Sequence, residues 1–370
     1  MKFNNNNNKF NNKSKNKLKN NLSNKIVVLF IVTLVLFIFI MGCSSRSTHP
    51  ISGAATLKNS KVAKTIEPVE KISVRLPIPF IDGGFGPFYL AIDKGYFEEE
   101  GLDVTYNFGS AEANPIKMVI TGQDEIGFIG GPDTLLVARS KGHSVKAFAL
   151  YHRYSDFPVL ITTKESGITR VDQLDGKKVG FYYGHISTDV LRNLFRKENV
   201  DVEEVDIGVS LNQLLAGQID AQWWFRIPAE VVLPAKNVDV NIIIPNEYGI
   251  NTHGYTFFTT EKILEENPKM LKNFMRAIIK ATEYANEHPD EATLSIISRD
   301  NQLNYEIELE KLKLYNEVTV NPKELPIGYI SEEILKETYA RLEEEGVIKN
   351  PFDLSDAFTT EILEKAHAEI

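Results

Sequence analysis

The sequence predicts an α/β protein of two lobes, with mainly parallel sheets flanked by helices and a cleft between the lobes. Three observations carry that expectation. Short apolar segments that fit strands alternate with amphipathic segments at helical spacing along residues 71–370. That stretch reaches the length, roughly 250–300 residues, at which one hydrophobic core gives way to two. No internal repeat and no second long apolar run interrupts it. In open α/β sheets, ligands bind beyond the carboxyl ends of the strands.

The elements follow in order. Lys71-Ile72-Ser73-Val74-Arg75-Leu76 alternates at period two and fits a strand. Pro87 suits the first position of a helix that stops at Gly95, a residue able to close a helix in the left-handed region. Leu102-Asp103-Val104 is a second strand, and Asn114-Pro115 opens a helix toward Thr121-Gly122. Ile126 to Ile129 is a third strand, followed by a helix from Leu135 to Ser140 with Asp133 or Thr134 as its cap. Lys178 to Phe181 and Val238 to Ile244 are further strands. After Asn267, expected to cap, and Pro268, a long helix places Leu271, Phe274, Met275, Ile278 and Ile279 on one face. A later helix starts at Ser331, with Ile330 and Leu335 able to staple its first turn.

The first 42 residues belong to no lobe. Seven lysines stand in an Asn-rich, acid-free run, then an apolar stretch from Ile26 to Met41 ends in Gly42-Cys43, the pattern of a secretory signal. Ile40-Met41-Gly42-Cys43 resembles the lipobox of bacterial lipoproteins, which implies lipidation at Cys43 and an extracytoplasmic domain held to the cell membrane. Cys43 is the only cysteine, so an intramolecular disulfide and Cys-based catalysis or metal binding are excluded. Residues 43–70 are polar and aperiodic, a tether. The leader takes seven of the 41 basic residues, leaving 34 against 50 acidic ones, a net charge near −16. That balance argues against nucleic acid, which is bound chiefly by basic side chains.

Four stretches then resemble one family. The run FGPFYLAIDKGYFEEEGLDV, Phe85 to Val104, is similar to the opening of extracytoplasmic solute-binding proteins for thiamine pyrimidine precursors, riboflavin, sulfonates and nitrate. In order there follow IGFI (126–129) with LLVARSKG (135–142), SGI (166–168) with DQLDGKKVG (172–180), and LAGQIDA (215–221). Read bottom-up, these are caps, turns and strands that identify a fold without touching a ligand. The resemblance implies the type II periplasmic-binding-protein fold, with lobe I from 71–155 and 257–370 and lobe II from 156–256. It further implies a monomeric substrate-binding lipoprotein that delivers its solute to the permease of an ABC importer, with no cofactor. Pyrimidine-forming enzymes that share this fold carry a cysteine-rich stretch, which this sequence lacks.

Ligand contacts are expected on loops between a strand end and the next helix. In the first loop, Asp82 precedes Gly83 and Gly84, and Phe85 is expected to stack on a flat ring. In the second, Gly131 and Asp133 stand where helix amides open toward an acceptor. The third offers rings and donors in Tyr182, Tyr183, His185, Ser187 and Thr188. Of the adjacent Trp223 and Trp224, which point to opposite faces of a strand, Trp223 is assigned to the cleft. Asn251, His253 and Tyr255 precede the strand that returns to the first lobe, and hinges are expected near 151–158 and 254–258. The histidines are dispersed, with no HExxH or similar spacing, so no metal site is expected. No Walker A, G-x-S-x-G or dinucleotide fingerprint appears. Many aromatics and few cations favour a flat heterocycle, a thiamine pyrimidine precursor or riboflavin, over sulfonate, taurine or nitrate. A surface-anchored enzyme and a protein-binding sensor or adhesion module stand as the alternatives from other classes.

Overall fold

The computed structural model describes residues 69–370, apart from 111, 154–157, 182–186, 209 and 321–324. The expected lipidation site, Cys43, lies outside the described residues, as do Tyr182, Tyr183 and His185. Ten strands form two five-stranded sheets. The first contains β1 (Glu70–Arg75), β2 (Leu102–Asn107), β3 (Ile126–Ile129), β4 (Val145–Leu150) and β10 (Thr256–Thr260), in the order β2-β1-β3-β10-β4. The second contains β5 (Pro158–Thr163), β6 (Lys178–Phe181), β7 (Glu203–Asp206), β8 (Ala221–Phe225) and β9 (Val240–Ile243), in the order β7-β6-β8-β5-β9. Each sheet is the centre of one lobe, and the chain passes between them after β4 and again before β10.

The sheets are mixed. β1 pairs in parallel with β2 and β3, and β6 in parallel with β7 and β8, as βαβ alternation requires. The antiparallel pairs all involve β10 or β5, the strands that arrive from the other lobe and run against their neighbours. Sequence periodicity identifies such a strand but carries no sign of its direction.

Local chemistry explains most boundaries. Gly95 sits at φ +71°, between the helices Gly86–Asp93 and Tyr96–Glu99, a conformation that disfavours any side chain. The helix after β3 starts at Pro132, three residues before the expected Leu135, with Gly131 as N-cap and Asp133 inside the first turn. The fixed φ of Pro132 is already helical, so it begins the helix there. The long helix Pro268–Glu287 buries Leu271, Phe274, Met275, Ile278 and Ile279 against the first sheet, as its spacing predicts. Each such side chain contributes about 1.5–3 kcal/mol on burial. Asn267 does not cap it; its amide donates to Glu70 Oε1 instead. Ser331 does cap the helix Glu332–Glu344, and Ile330 and Leu335 share one apolar cluster beside it. Among the described residues, no helix is long and apolar enough to cross a membrane.

Candidate functional site

The loop after β1 turns at Asp82, whose Oδ1 accepts from the Gly84 amide at 2.9 Å and starts the short 3-10 turn Gly83–Phe85. Against this turn lies the helix Tyr305–Val320. It brings Lys311, which pairs with Asp82 and, at 3.1 Å, with both oxygens of Glu308. All three charged groups are buried. The turn fits because position 83 is glycine: a Cβ there would lie 2.9 Å from Glu308 Oε2 and 3.2 Å from the Glu308 carbonyl oxygen. Tyr315, one turn further along the helix, also hydrogen-bonds Asp82. Two carboxylates thus face one ammonium. Burial, opposed by Lys311, pushes the Glu308 carboxyl above its ordinary range. Burial alone would lower Lys311, but Asp82 and Glu308 outweigh it and hold its ammonium above the ordinary lysine value.

Rings surround this ionic cluster. His152 stacks on Tyr315 at 4.9 Å between centroids, lies 5.2 Å from Tyr255, and its Nε2 donates to the Gly84 carbonyl at 3.2 Å. Burial pushes the His152 imidazole down to about 3, so it is neutral at physiological pH. Phe85 is fully buried, with Tyr255 at 5.2 Å, Phe128 at 5.7 Å and Tyr151 at 6.2 Å. Its expected role as a stacking platform is therefore corrected: the turn that Asp82 caps drives the ring into the core. Tyr255, only partly buried, presents the outermost ring of the group.

The second cluster joins the two passages between the lobes. His253 Nδ1 donates to the Arg153 carbonyl at 2.9 Å, and its Nε2 accepts from the Ser331 amide at 3.1 Å. His253 is buried, and burial lowers its pKa. It braces both crossings instead of offering a free imidazole. Its carbonyl oxygen is 3.1 Å from where a Cβ on Gly131 would stand, so Gly131 and His253 are neighbours. Asp133 accepts from Arg341 Nη2 at 2.9 Å, both side chains buried, so Asp133 is an ion-pair partner and not the expected cap. Asn251 accepts from the Asn246 amide at 2.5 Å.

In the second lobe, Trp223 is 2% exposed and packs with Phe225 at 4.7 Å in a cluster with Phe181 and Phe195. Trp224 points to the other face, beside Val159 and Ile161. The two tryptophans do alternate as expected, but helices or loops cover both faces, which corrects the assignment of Trp223 to the cleft. Ser187 and Thr188 stand in the first turn of the helix Ser187–Glu198; their side chains lie outside the described residues. Sequence reasoning missed Glu308, Lys311, Tyr315 and Arg341. Their spacing on charged helices is that of solvated faces, and only tertiary packing buries them. Among the described residues no group of histidines and acids is placed to hold a metal.

The comparisons with known proteins bear on this geometry. The profile of the family described as NMT1/THI5 like matches residues 83–292. The chain belongs to that family. Among relatives of this NMT1/THI5-like chain, the formylaminopyrimidine-binding protein of Halalkalibacterium halodurans is 29% identical, across 74% of this chain and 84% of its own. The riboflavin-binding protein RibY of Chloroflexus aurantiacus is 23% identical, across 90% and 97%. A solved structure of a sulfonate-binding protein, SsuA of Methylobacillus flagellatus, has the same fold with a TM-score of 0.64 at 14% identity, across 82% of this chain and 95% of its own. The architecture is thus the two-lobed periplasmic-binding-protein fold. Glu308, Lys311, Tyr315 and Arg341 all lie outside the matched residues 83–292.

Proposed function

We propose that this protein is the solute-binding component of an ABC-type importer and that its solute is a flat nitrogen heterocycle carrying hydrogen-bond donors, of the thiamine pyrimidine-precursor class. In this reading a lipid on Cys43 holds the protein at the outer face of the membrane. The lobes close on the solute by hinge motion at the two crossings, and the closed form is handed to a permease. The fold supports a binder: two sheets are joined through two crossings, and open α/β sheets bind ligands beyond the carboxyl ends of their strands.

One observation carries the ligand class. Two carboxylates face a single ammonium at the end of β1, set among His152, Tyr315 and the partly exposed Tyr255. The partly exposed Tyr255 offers a ring to a planar ligand, while the excess of carboxylate buried behind it favours amino groups and opposes oxyanions such as sulfonate or nitrate. The relative named for formylaminopyrimidine binding supports the same class. The importer role and anchoring rest on the family resemblance and on the Cys43 pattern.

Isothermal calorimetry and thermal shift with aminopyrimidine precursors, thiamine, riboflavin, taurine, an alkanesulfonate and nitrate test the reading. Ligand that binds only the folded state raises the melting temperature with concentration. An aminopyrimidine should bind and should remain chemically unchanged on prolonged incubation. A response to taurine, alkanesulfonate or nitrate alone would reject the heterocycle, and turnover of the bound pyrimidine would reject the binder.

A further inference from the structure

The segment 325–331 ties both crossings to the first lobe. Its anchor is apolar: Ile330 packs in one cluster with Ala147, Leu150 and Phe258 of β4 and β10. The Gly328 carbonyl accepts from the Leu150 amide at 2.9 Å, where the first crossing leaves β4. The carbonyls of Leu325 and Pro326 accept from Arg153 Nη2 at 2.6 and 3.1 Å. On the second crossing the Ser331 amide donates to His253 Nε2, and His253 Nδ1 donates in turn to the Arg153 carbonyl. The Tyr255 carbonyl completes the set by accepting from the Tyr151 and His152 amides at 2.6 and 3.1 Å. Arg153 and His253 are 7% and 2% exposed, so water competes little for these bonds.

The same bonds mark where the second crossing passes from one lobe to the other. Ile250 packs in the apolar cluster of the second lobe, and its amide donates to the Pro245 carbonyl at 3.1 Å. Asn251 accepts from Asn246 of that lobe. Two residues on, His253 is already held to Ser331 of the first lobe. Beyond it β10 pairs on both edges, with β3 and β4, which leaves that strand no freedom to turn. A hinge is a short stretch whose dihedral angles change while its flanks stay packed. We infer that the second crossing hinges between Asn251 and His253, upstream of the expected 254–258, and that Arg153 is a positioning residue that latches the fixed side of this hinge to the segment 325–331. The inference rests on closure by hinge motion and gives that motion its residues. With the latch made, both crossings leave the first lobe in one direction, and closure costs only the turn itself. With it broken, the ligand-free protein samples more lobe arrangements, and binding must first order them. The segment 325–331 lies outside the family-matched residues 83–292.

The test measures the distance between the lobes by electron spin echo. Nitroxides are placed at Leu294→Cys in the first lobe and Leu215→Cys in the second, 58% and 53% exposed, in a full chain carrying Cys43→Ser. Arg153→Met removes the donor to the Leu325 and Pro326 carbonyls, and Arg153→Lys returns one. Without ligand, Arg153→Met should give a broader distance distribution than the unsubstituted latch, with Arg153→Lys between them. With N-formyl aminopyrimidine as the probe at saturation, all three should share one distance, and Arg153→Met should bind it about threefold to tenfold more weakly. An arginine with a merely structural role would lower the melting temperature of Arg153→Met and leave the ligand-free distribution unchanged, and that result overturns the latch. If Arg153→Met does not fold, Arg153→Lys carries the same comparison. Thr252→Gly, which leaves the latch whole and frees the turn, should broaden the ligand-free distribution too; an unchanged distribution removes the hinge from this step. Failure of the unsubstituted protein to bind the probe would reject the heterocycle, while the ligand-free distances would still decide the latch.

Discussion

Arg196 and Glu345 pair across the two lobes. Arg196 stands on the helix Ser187–Glu198, which packs on the second sheet through Leu191, Leu194 and Phe195. Glu345 follows the helix Glu332–Glu344, which packs on the first sheet through Leu335 and Leu342. The pair closes one side of a groove of about 470 Å3, lined also by Arg192, Val200, Glu204 and Val347. An ion pair that spans the lobes exists only in lobe arrangements that bring them together. Under the hinge closure proposed above, the pair would favour the closed form over an open one that separates Arg196 from Glu345.

Reversing one charge should weaken solute binding, because closure then brings like charges together. Arg196 is 46% exposed, so screening limits the effect to roughly 0.2–1 kcal/mol, at most about fivefold in Kd. Arg196→Glu should raise Kd by that order with little change in melting temperature, and the swap Arg196→Glu/Glu345→Arg should restore it. Calorimetry of the four proteins checks this. Failure of the swap to restore affinity would remove the pair from the closure equilibrium.

His152 makes stability depend on acidity. Its imidazole is depressed to about 3 by burial, with only partial opposition from the Gly84 hydrogen bond and from Asp82. An unfolded histidine titrates near 6.5. Between those values the unfolded chain binds a proton that the folded chain refuses, so stability falls as pH falls from about 6.5 toward 3. The full loss is on the order of 5 kcal/mol. Urea midpoints from pH 7 to pH 4 should decline more steeply for the wild type than for His152→Gln, which cannot titrate. Parallel declines would show that the imidazole is not held neutral.

How far the sequence carried these features depended on whether the cause was local. Gly95, Ser331 and the stripe from Leu271 to Ile279 stand as expected, because each answers to a cap, a backbone angle or a helical period. The alternation of Trp223 and Trp224 was likewise legible. What lies above each face of β8 was not, since covering elements come from distant sequence. Phe85 was misjudged for a related reason: a ring in a glycine-rich loop faces a cleft or a core according to one turn, and Asp82 sets that turn. Glu308 and Lys311 read as an ordinary i, i+3 pair until the fold lays Asp82 beside them.

Lys311 should be the most sensitive position of the ionic cluster. Removing the ammonium leaves Asp82 and Glu308 buried side by side, and breaking a buried ion pair on one side costs about 3–5 kcal/mol. Lys311→Met should lower the unfolding free energy by that order in urea. Lys311→Met/Glu308→Gln should recover part of it, since one of the two uncompensated charges is gone. A Lys311→Met protein within about 1 kcal/mol of wild type would mean that water reaches these carboxylates.

Phe85 and Tyr255, with ring centroids 5.2 Å apart, should divide stability from recognition. Phe85 is wholly enclosed, so Phe85→Ala opens a cavity and should cost about 3–5 kcal/mol in unfolding free energy. Tyr255 is partly exposed at the edge of the same cluster, so Tyr255→Ala sacrifices less packing. Under the proposed heterocycle binding, Tyr255 would supply the ring that stacks on the planar ligand, and a lost aromatic contact is worth about 0.5–1.5 kcal/mol beyond area, up to roughly tenfold in affinity. Paired measurements of urea midpoint and heterocycle Kd on both variants separate the roles. If Phe85→Ala stayed stable yet lost the ligand while Tyr255→Ala kept it, the two rings would have to exchange places in the binding scheme, and the turn capped by Asp82 would have to swing open in solution to let that happen.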